Sequence, residues 1–222
     1  MAEPRTRNTT RQREAGAAAR LETRRRLLDA AGEEFAAGGY AAATVTRIAS
    51  RAGVTVPTLY LAWGSKRELL RAYMEAALSG QAAEPAAAEL PTLIADVLRD
   101  TGGDPRAIIR QIARLYRQVA ERAGLGWKLY RDAAATDPAI AEDWQNLQDL
   151  RRQTFIGLVA RLPPESMRPS LSLATAAVTA WAIASPETYE LLVRAAGHSL
   201  DEYEEWVATT LTSALLPDIN RS

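Results

Sequence analysis

The stretch TVTRIASRAGVTVPTLYLAWGSKRELL, residues 44–70, decides the fold, because it reads as two short helices around a tight turn, running into a third. Thr44 stands at an N-cap position, and Val45, Ile48, Ala49 and Ala52 follow three and four apart on one helical face. Gly53 comes where the chain must leave that helix through a left-handed conformation, which glycine adopts without Cβ strain. Thr55 can cap a second helix whose apolar positions are Leu59 and Trp63, with Pro57 in the first turn, where its missing N–H costs nothing. Gly64 ends it. Ser65-Lys66-Arg67-Glu68 then has the capping-box form, opening a helix with Leu69, Leu70, Tyr73, Met74 and Leu78 as its apolar stripe.

Working outward, an upstream helix is predicted from Thr23 to Ala37, with Leu27, Leu28, Ala31 and Phe35 on one face and Gly38-Gly39-Tyr40 after it. The Ala-Gly-Val-Thr-Val-Pro-Thr-Leu-Tyr run, with Trp63 three residues after Tyr60 and then Gly-Ser-Lys, resembles the DNA-binding domain of TetR-type transcriptional regulators, from about Leu21 to Met74. The resemblance implies an all-α protein: an N-terminal three-helix helix-turn-helix domain plus a larger helical domain for ligand binding and dimerisation. The expected divisions are a flexible basic arm over residues 1–19, the DNA-binding domain over 20–72, and the larger domain over 73–222. It also implies a homodimer that reads a pseudo-palindromic double-stranded operator, most simply a repressor released by a small-molecule effector.

Within that frame, roles follow from position. Thr44 and Thr46, with the amides that open the first short helix, suit a phosphate, and Arg47 can reach backbone or base. Thr55, Val56, Pro57 and Thr58 form the tip of the recognition helix; Val56 and Pro57 can touch a thymine methyl but lack the donors of a bidentate guanine contact. The resemblance assigns phosphate contacts to Tyr60 and Lys66, although a packed aromatic with a wet hydroxyl is an alternative for Tyr60. Family members often carry Lys and Gly in place of Val56 and Pro57, and His in place of Ala62. These departures shift the expected readout toward Thr58 and DNA shape.

Charge agrees with this organisation. The chain has 27 basic and 27 acidic residues, but residues 1–72 hold 13 Lys or Arg against 7 Asp or Glu, a net of +6, and the remainder is −6. A basic front attracts phosphates while an acidic body keeps the remaining surface off the duplex. Arg5, Arg7, Arg11 and Arg13 lie among polar residues with no apolar face, so residues 1–19 are expected to lack fixed structure and either play no role or follow the DNA backbone.

The 222 residues, 47% hydrophobic, suffice for a real core. The absence of cysteine excludes disulfides, thiolate metal sites and cysteine nucleophiles, and with no signal-like or membrane-length apolar run the expectation is a cytoplasmic protein with no membrane association. The one histidine, His198, sits in a Gly-His-Ser turn and reads as a surface or cap residue; no metal spacing and no phosphate loop appear, so neither an enzyme nor a cofactor is expected. The alternatives are a ligand-independent or activating regulator and an all-helical protein-interaction module, the latter binding no DNA.

Beyond a spacer from Gln81 to Leu90, helices are predicted over Pro91 to Thr101, Pro105 to Ala123, Trp127 to Ala135 (after Gly124 and Gly126), Pro138 to Leu162, Ser170 to Ala184, Ser185 to Ala196 and Ser199 to Leu216. The stripe of the long fourth member of this set is read as Ile140, Trp144, Leu147, Leu150, Phe155, Leu158, Val159 and Leu162. Ser185, Pro186, Glu187, Tyr189, Gly197, Ser199, Glu202, Tyr203, Glu204 and Trp206 resemble a motif of the regulatory part of a TetR subfamily, with His198 where that subfamily has an aromatic. Tyr116, Trp127, Tyr130, Trp144 and Trp181 are the candidate pocket residues for an apolar or aromatic effector, with ordinary core as their alternative. Leu173, Ala176, Ala177, Ala180, Trp181, Trp206, Val207, Leu211 and Leu215 are expected at a two-fold four-helix interface.

Overall fold

The computed structural model describes residues 5–79 and 101–217, with side chains from residue 13 onward. Every regular element among them is helical. The chain divides into two compact units, residues 1–85 and 86–222. The expected division at 72/73 would cut a helix that stays whole in the first unit. The expected spacer, and all but the last residue of the helix expected over Pro91 to Thr101, lie outside the described residues.

The first unit contains α1 (Arg5–Ala42), α2 (Val45–Arg51), α3 (Val56–Trp63) and α4 (Lys66–Ser79). Leu27, Leu28, Ala31 and Phe35 of α1 meet Ile48 and Ala49 of α2, Leu59 of α3 and Leu69, Leu70 and Met74 of α4 in one buried core. Each of these was placed on an inward face by periodicity alone. The α2–α3 turn is a Schellman motif: the Val54 amide donates to the Ala49 carbonyl (3.0 Å), the Gly53 amide to the Ser50 carbonyl (3.1 Å), and Gly53 takes φ 66°. α1 is longer than expected at both ends. Residues 5–19, read as an arm without fixed structure, continue the helix, since Arg, Ala, Gln and Glu are strong helix formers and no proline interrupts them after Pro4. At the other end the helix runs past Ala37 to a break in its dihedrals at Gly39.

The second unit contains α5 (Pro105–Ala134), α6 (Pro138–Val159), a 3-10 turn (Pro164–Ser166), α7 (Leu173–Ile183), α8 (Pro186–Tyr189) continued by a π-helical turn (Glu190–Ala195), and α9 (Leu200–Leu215). α5 packs against α6, α8 and α9, and α7 against α6 and α9. Asp104, Asp137, Ser172, Ser185 and Ser199 cap their helices through side-chain oxygens, and Ser199 with Glu202 completes the capping box expected there.

Three expectations need correction in this unit. Gly124 and Gly126 do not break a helix; α5 runs through both, and at Gly124 a Cβ would sit 3.3 Å from the Tyr189 ring, so the glycine admits a close helix approach. On α6 the inward row passes through Arg151, which is 6% exposed, whereas Leu150 points outward at 42%. Ala176, Ala177, Ala180, Val207, Leu211 and Leu215, expected at a dimer interface, lie in the protomer's own core because α7 and α9 turn their small-residue faces toward each other and toward α5 and α6. The apolar residues α7 leaves outside are Ala174, Val178 and Ala182, spaced four apart, with Leu173 beside them.

Candidate nucleic-acid interface

The recognition helix α3 is two-faced. Leu59 is fully buried and Trp63 half-buried on the inner side, while Pro57, Tyr60, Leu61 and Gly64, spaced three and four apart, face outward. Tyr60 is 49% exposed and Leu61 90%. Leu61 is the residue that sorting by chemical type missed. Its helical phase, four residues after Pro57, was the signal that places it outside. Val56 and Thr58 are half-buried at the tip. Thr55 caps the helix, its Oγ1 accepting from the Thr58 amide (3.3 Å) and lying 2.9 Å from the Thr58 Oγ1. The tip is thus preorganised by its own two threonines.

The C-terminal end of α3 and both ends of α2 are braced from α1. Arg24 donates through Nη1 to the Ala62 carbonyl (2.9 Å) and stacks over Trp63, its guanidinium carbon 3.8 Å from the ring centroid. A cation at a helix C-terminus meets the negative end of the helix dipole. Glu34, 3% exposed, is the anchor for α2. Its Oε1 accepts from Arg51 Nε (2.8 Å), and Arg51 also reaches Glu33 at 2.7 Å; these two carboxylates hold the Arg51 guanidinium above its usual pKa. Arg47 Nε lies 2.8 Å from Glu34 Oε2, an ionic contact whose N–H is not aimed at that oxygen.

The remaining expected contact residues divide in two. Thr44 and Thr46 are exposed at the start of α2, and Thr44 Oγ1 accepts from the Arg47 amide (3.3 Å). Lys66 is turned inward: Nζ donates to the Tyr40 and Ala43 carbonyls (2.9 Å each) and sits 4.1 Å from the Tyr40 ring centroid. Lys66 and Arg47 therefore hold the segment before α2 and α2 itself in place. Tyr60 and Leu61 thus stand exposed on a helix tied to α1 at its C-terminal end, beside an α2 held by ion pairs.

Residues 27–73 match the family model described as bacterial regulatory proteins of the tetR family. The match covers the helix-turn-helix and the start of α4. Solved structures of TetR-type regulators share the fold over most of the chain. NalD of Pseudomonas aeruginosa, the secondary repressor of the MexAB-OprM multidrug efflux pump, gives a TM-score of 0.67 at 19% identity over 90% of this chain and 99% of that one. KstR2 of Mycobacterium tuberculosis, a ketosteroid transcriptional regulator, gives 0.60 at 20% identity over 88% and 95%. A TetR-like transcriptional regulator from Rhodococcus sp. gives 0.57 at 21% identity over 85% and 93%. Identities this low establish a common fold, that of TetR-type transcriptional regulators. No curated protein matches the sequence significantly.

In the second unit the five candidate pocket aromatics do not converge on one place. Trp127 and Trp144 form an edge-to-face pair between α5 and α6, with centroids 5.7 Å apart, and Tyr130 is buried one turn beyond Trp127. Tyr116 stacks on Phe155 at 4.5 Å, and Trp181 packs on Arg151, so these two belong to a separate polar centre. Arg151 itself went unnoticed in the sequence, although it lies four residues before Phe155 on the apolar row of α6. His198 is half-buried, its amide donating to the Leu192 carbonyl (2.9 Å). Among the described residues no helix is long and apolar enough to cross a membrane, and no group of three acidic, His or Cys side chains is placed to hold a metal ion.

Proposed function

We propose that this TetR-type protein is a cytoplasmic, homodimeric repressor that binds a pseudo-palindromic operator through α2 and α3 and is released by a small molecule bound in its second unit. The outward row of α3 carries the reading. Pro57, Tyr60 and Leu61 form a face that a folded domain of this size gains nothing by exposing, whereas a major groove supplies thymine methyls and phosphates to match it. Thr44, Thr46 and Tyr60 contact phosphate; Thr55, Val56, Pro57, Thr58 and Leu61 meet base edges. Lys66 and Arg47 act from behind, by fixing the start of α2. The names of NalD and KstR2, a repressor and a transcriptional regulator, agree with repression. Two protomers meet through Leu173, Ala174, Val178 and Ala182 of α7, the apolar row left uncovered. The effector must prefer one of two conformations to release DNA.

A gel shift against the DNA upstream of the protein's own gene, at several salt concentrations, tests this. Binding that weakens steeply between about 50 and 200 mM salt supports it, and salt-independent binding or none favours an interaction module. Lys66→Ala separates bracing from contact. A bracing lysine lowers affinity with the salt slope unchanged, while loss of a phosphate contact reduces the slope by about 0.9.

A further inference from the structure

Arg151 is the one basic side chain buried in the second unit among the described residues, and no carboxylate forms an ion pair with it there. Its Nη2 donates to the carbonyls of Trp181 and Ala184 (3.0 Å to the latter), so it caps the C-terminal end of α7. The guanidinium carbon lies 5.0 Å from the Trp181 ring and 5.6 Å from Phe155. Nε has no partner at all. Two further buried polar atoms in the same centre are also unpartnered, the Tyr203 hydroxyl and the Trp181 indole N–H. Tyr203 is fully buried and stacks edge-on against Tyr189, immediately before the π-helical turn. The phenols of Tyr116 and Tyr203 both act electrostatically on Arg151, Tyr116 also through a direct side-chain interaction, and the Glu187 carboxylate acts on it as well.

Buried donors left without acceptors cost free energy, and a buried cation without an anion costs more. The three unpartnered groups of this centre are all able to donate, which specifies what would complete it: an acceptor-rich anion. Gln148, one turn earlier on α6, adds a buried unpartnered amide oxygen, and an amide can present either its oxygen or its N–H₂. Trp181 is only half-buried, while Phe155 and Tyr116 supply aromatic surface beside the charge and Tyr189 packs against Tyr203. π-helical turns occur frequently at ligand sites, because the widened backbone leaves groups unpaired.

We propose that Arg151, Tyr203 and Trp181 anchor the carboxylate of an aromatic-acid effector, with Tyr116, Phe155 and Tyr189 packing on its ring. This rests on the effector reading above and narrows it to one chemical class. Arg151 is then shared. Nη2 keeps α7 capped, and Nε, with the hydroxyl and the indole, receives the carboxylate. Binding there joins α6, α7 and α9 around one anion, and it competes with the carbonyls at the end of α7 for the same guanidinium.

The test uses the full-length protein, titrated with benzoate, salicylate and phenylacetate and with the neutral analogues benzamide and benzyl alcohol, followed by tryptophan fluorescence and calorimetry. At least one of the three acids is expected to bind saturably and about tenfold or more tighter than either neutral analogue. Tyr203→Phe keeps the ring packing and removes one donor, so it should weaken that acid about tenfold with the melting temperature preserved. Arg151→Met should abolish binding of the acid, and the tyrosine variant decides the matter if the arginine variant does not fold. Equal binding of acids and neutral analogues, no saturable binding of any acid, or wild-type affinity in Tyr203→Phe each overturn the proposal. DNA binding of the ligand-free protein, read separately by gel shift, reports on the regulator reading: DNA binding without acid binding sinks only this inference, and loss of DNA binding in the wild-type protein sinks the broader one.

Discussion

Each unit of this chain buries one charged side chain among its described residues, and the two are treated differently. Glu34 in the first unit is met by two guanidinium groups from α2. Arg151 in the second is met by two carbonyl oxygens and no carboxylate. Ionic contacts at both oxygens of Glu34 tie α2 to α1, with Oε1 also accepting a hydrogen bond from Arg51. A buried charge compensated only by neutral dipoles holds its surroundings less completely, and burial pushes the Arg151 guanidinium below its usual pKa. The difference separates a unit whose buried charge is ion-paired from one whose buried charge is left incompletely paired.

The largest effect expected on that comparison comes from Leu59→Ala. It empties a fully buried position beneath the recognition helix and should cost about 2–5 kcal/mol, read as early unfolding of the first unit in denaturant with DNA binding lost. If the second unit's transition moves equally, the two units unfold together. Next, Glu34→Gln leaves Arg47 without its anion and Arg51 with Glu33 alone. Both arginines are about half exposed, which discounts the cost to about 1–3 kcal/mol, and hydrogen exchange of the α2 amides should show the loss locally. Arg151→Met should cost less than Glu34→Gln, because replacing an incompletely paired cation with an apolar side chain removes its desolvation penalty along with its two hydrogen bonds. A larger loss in Arg151→Met would mean that the α7 cap, and not a ligand, accounts for the buried charge.

Smaller effects refine the surface of the first unit. Leu61→Ala should leave the melting temperature within about 1 °C of wild type while changing preference at individual base pairs, measured by a binding-site selection. The smallest concerns the α9 capping box. Hydrogen bonding from the Ser199 backbone, then from its side chain, holds the Glu202 carboxyl below its ordinary pKa of 4.5. A depressed folded pKa means the contribution is present above 4.5 and is lost as pH falls through the folded value. Wild type should therefore lose a small increment of stability on acidification below 4.5 that Glu202→Gln lacks.

How much of this was legible depended on whether local chemistry or packing partners decided each residue. The helix-turn-helix was readable because its signals are local: Thr44, Thr55 and Ser65 cap, Gly53 turns, and the rows Leu27–Leu28–Phe35 and Ile48–Ala49 mark one buried face. Leu61 was passed over because residue type was allowed to outweigh helical phase. The second unit was less readable because its meaning is non-local. Gly124 looks like a breaker until Tyr189 is placed against it, and Ala176, Ala177 and Ala180 suit an interface as well as a core until α6 and α9 cover them.

By itself, the sequence determined the helical class, the order of brace, turn and recognition helix, and the caps that start each one, since these follow from spacing and from hydrogen bonds within a few residues. Only the tertiary structure decided where the charges are spent. Lys66 and Arg47 turn back onto the first unit, Glu34 is buried between two arginines, and Arg151 replaces Leu150 on the inward row, because the free energy of a charge depends on neighbours that come from distant parts of the chain.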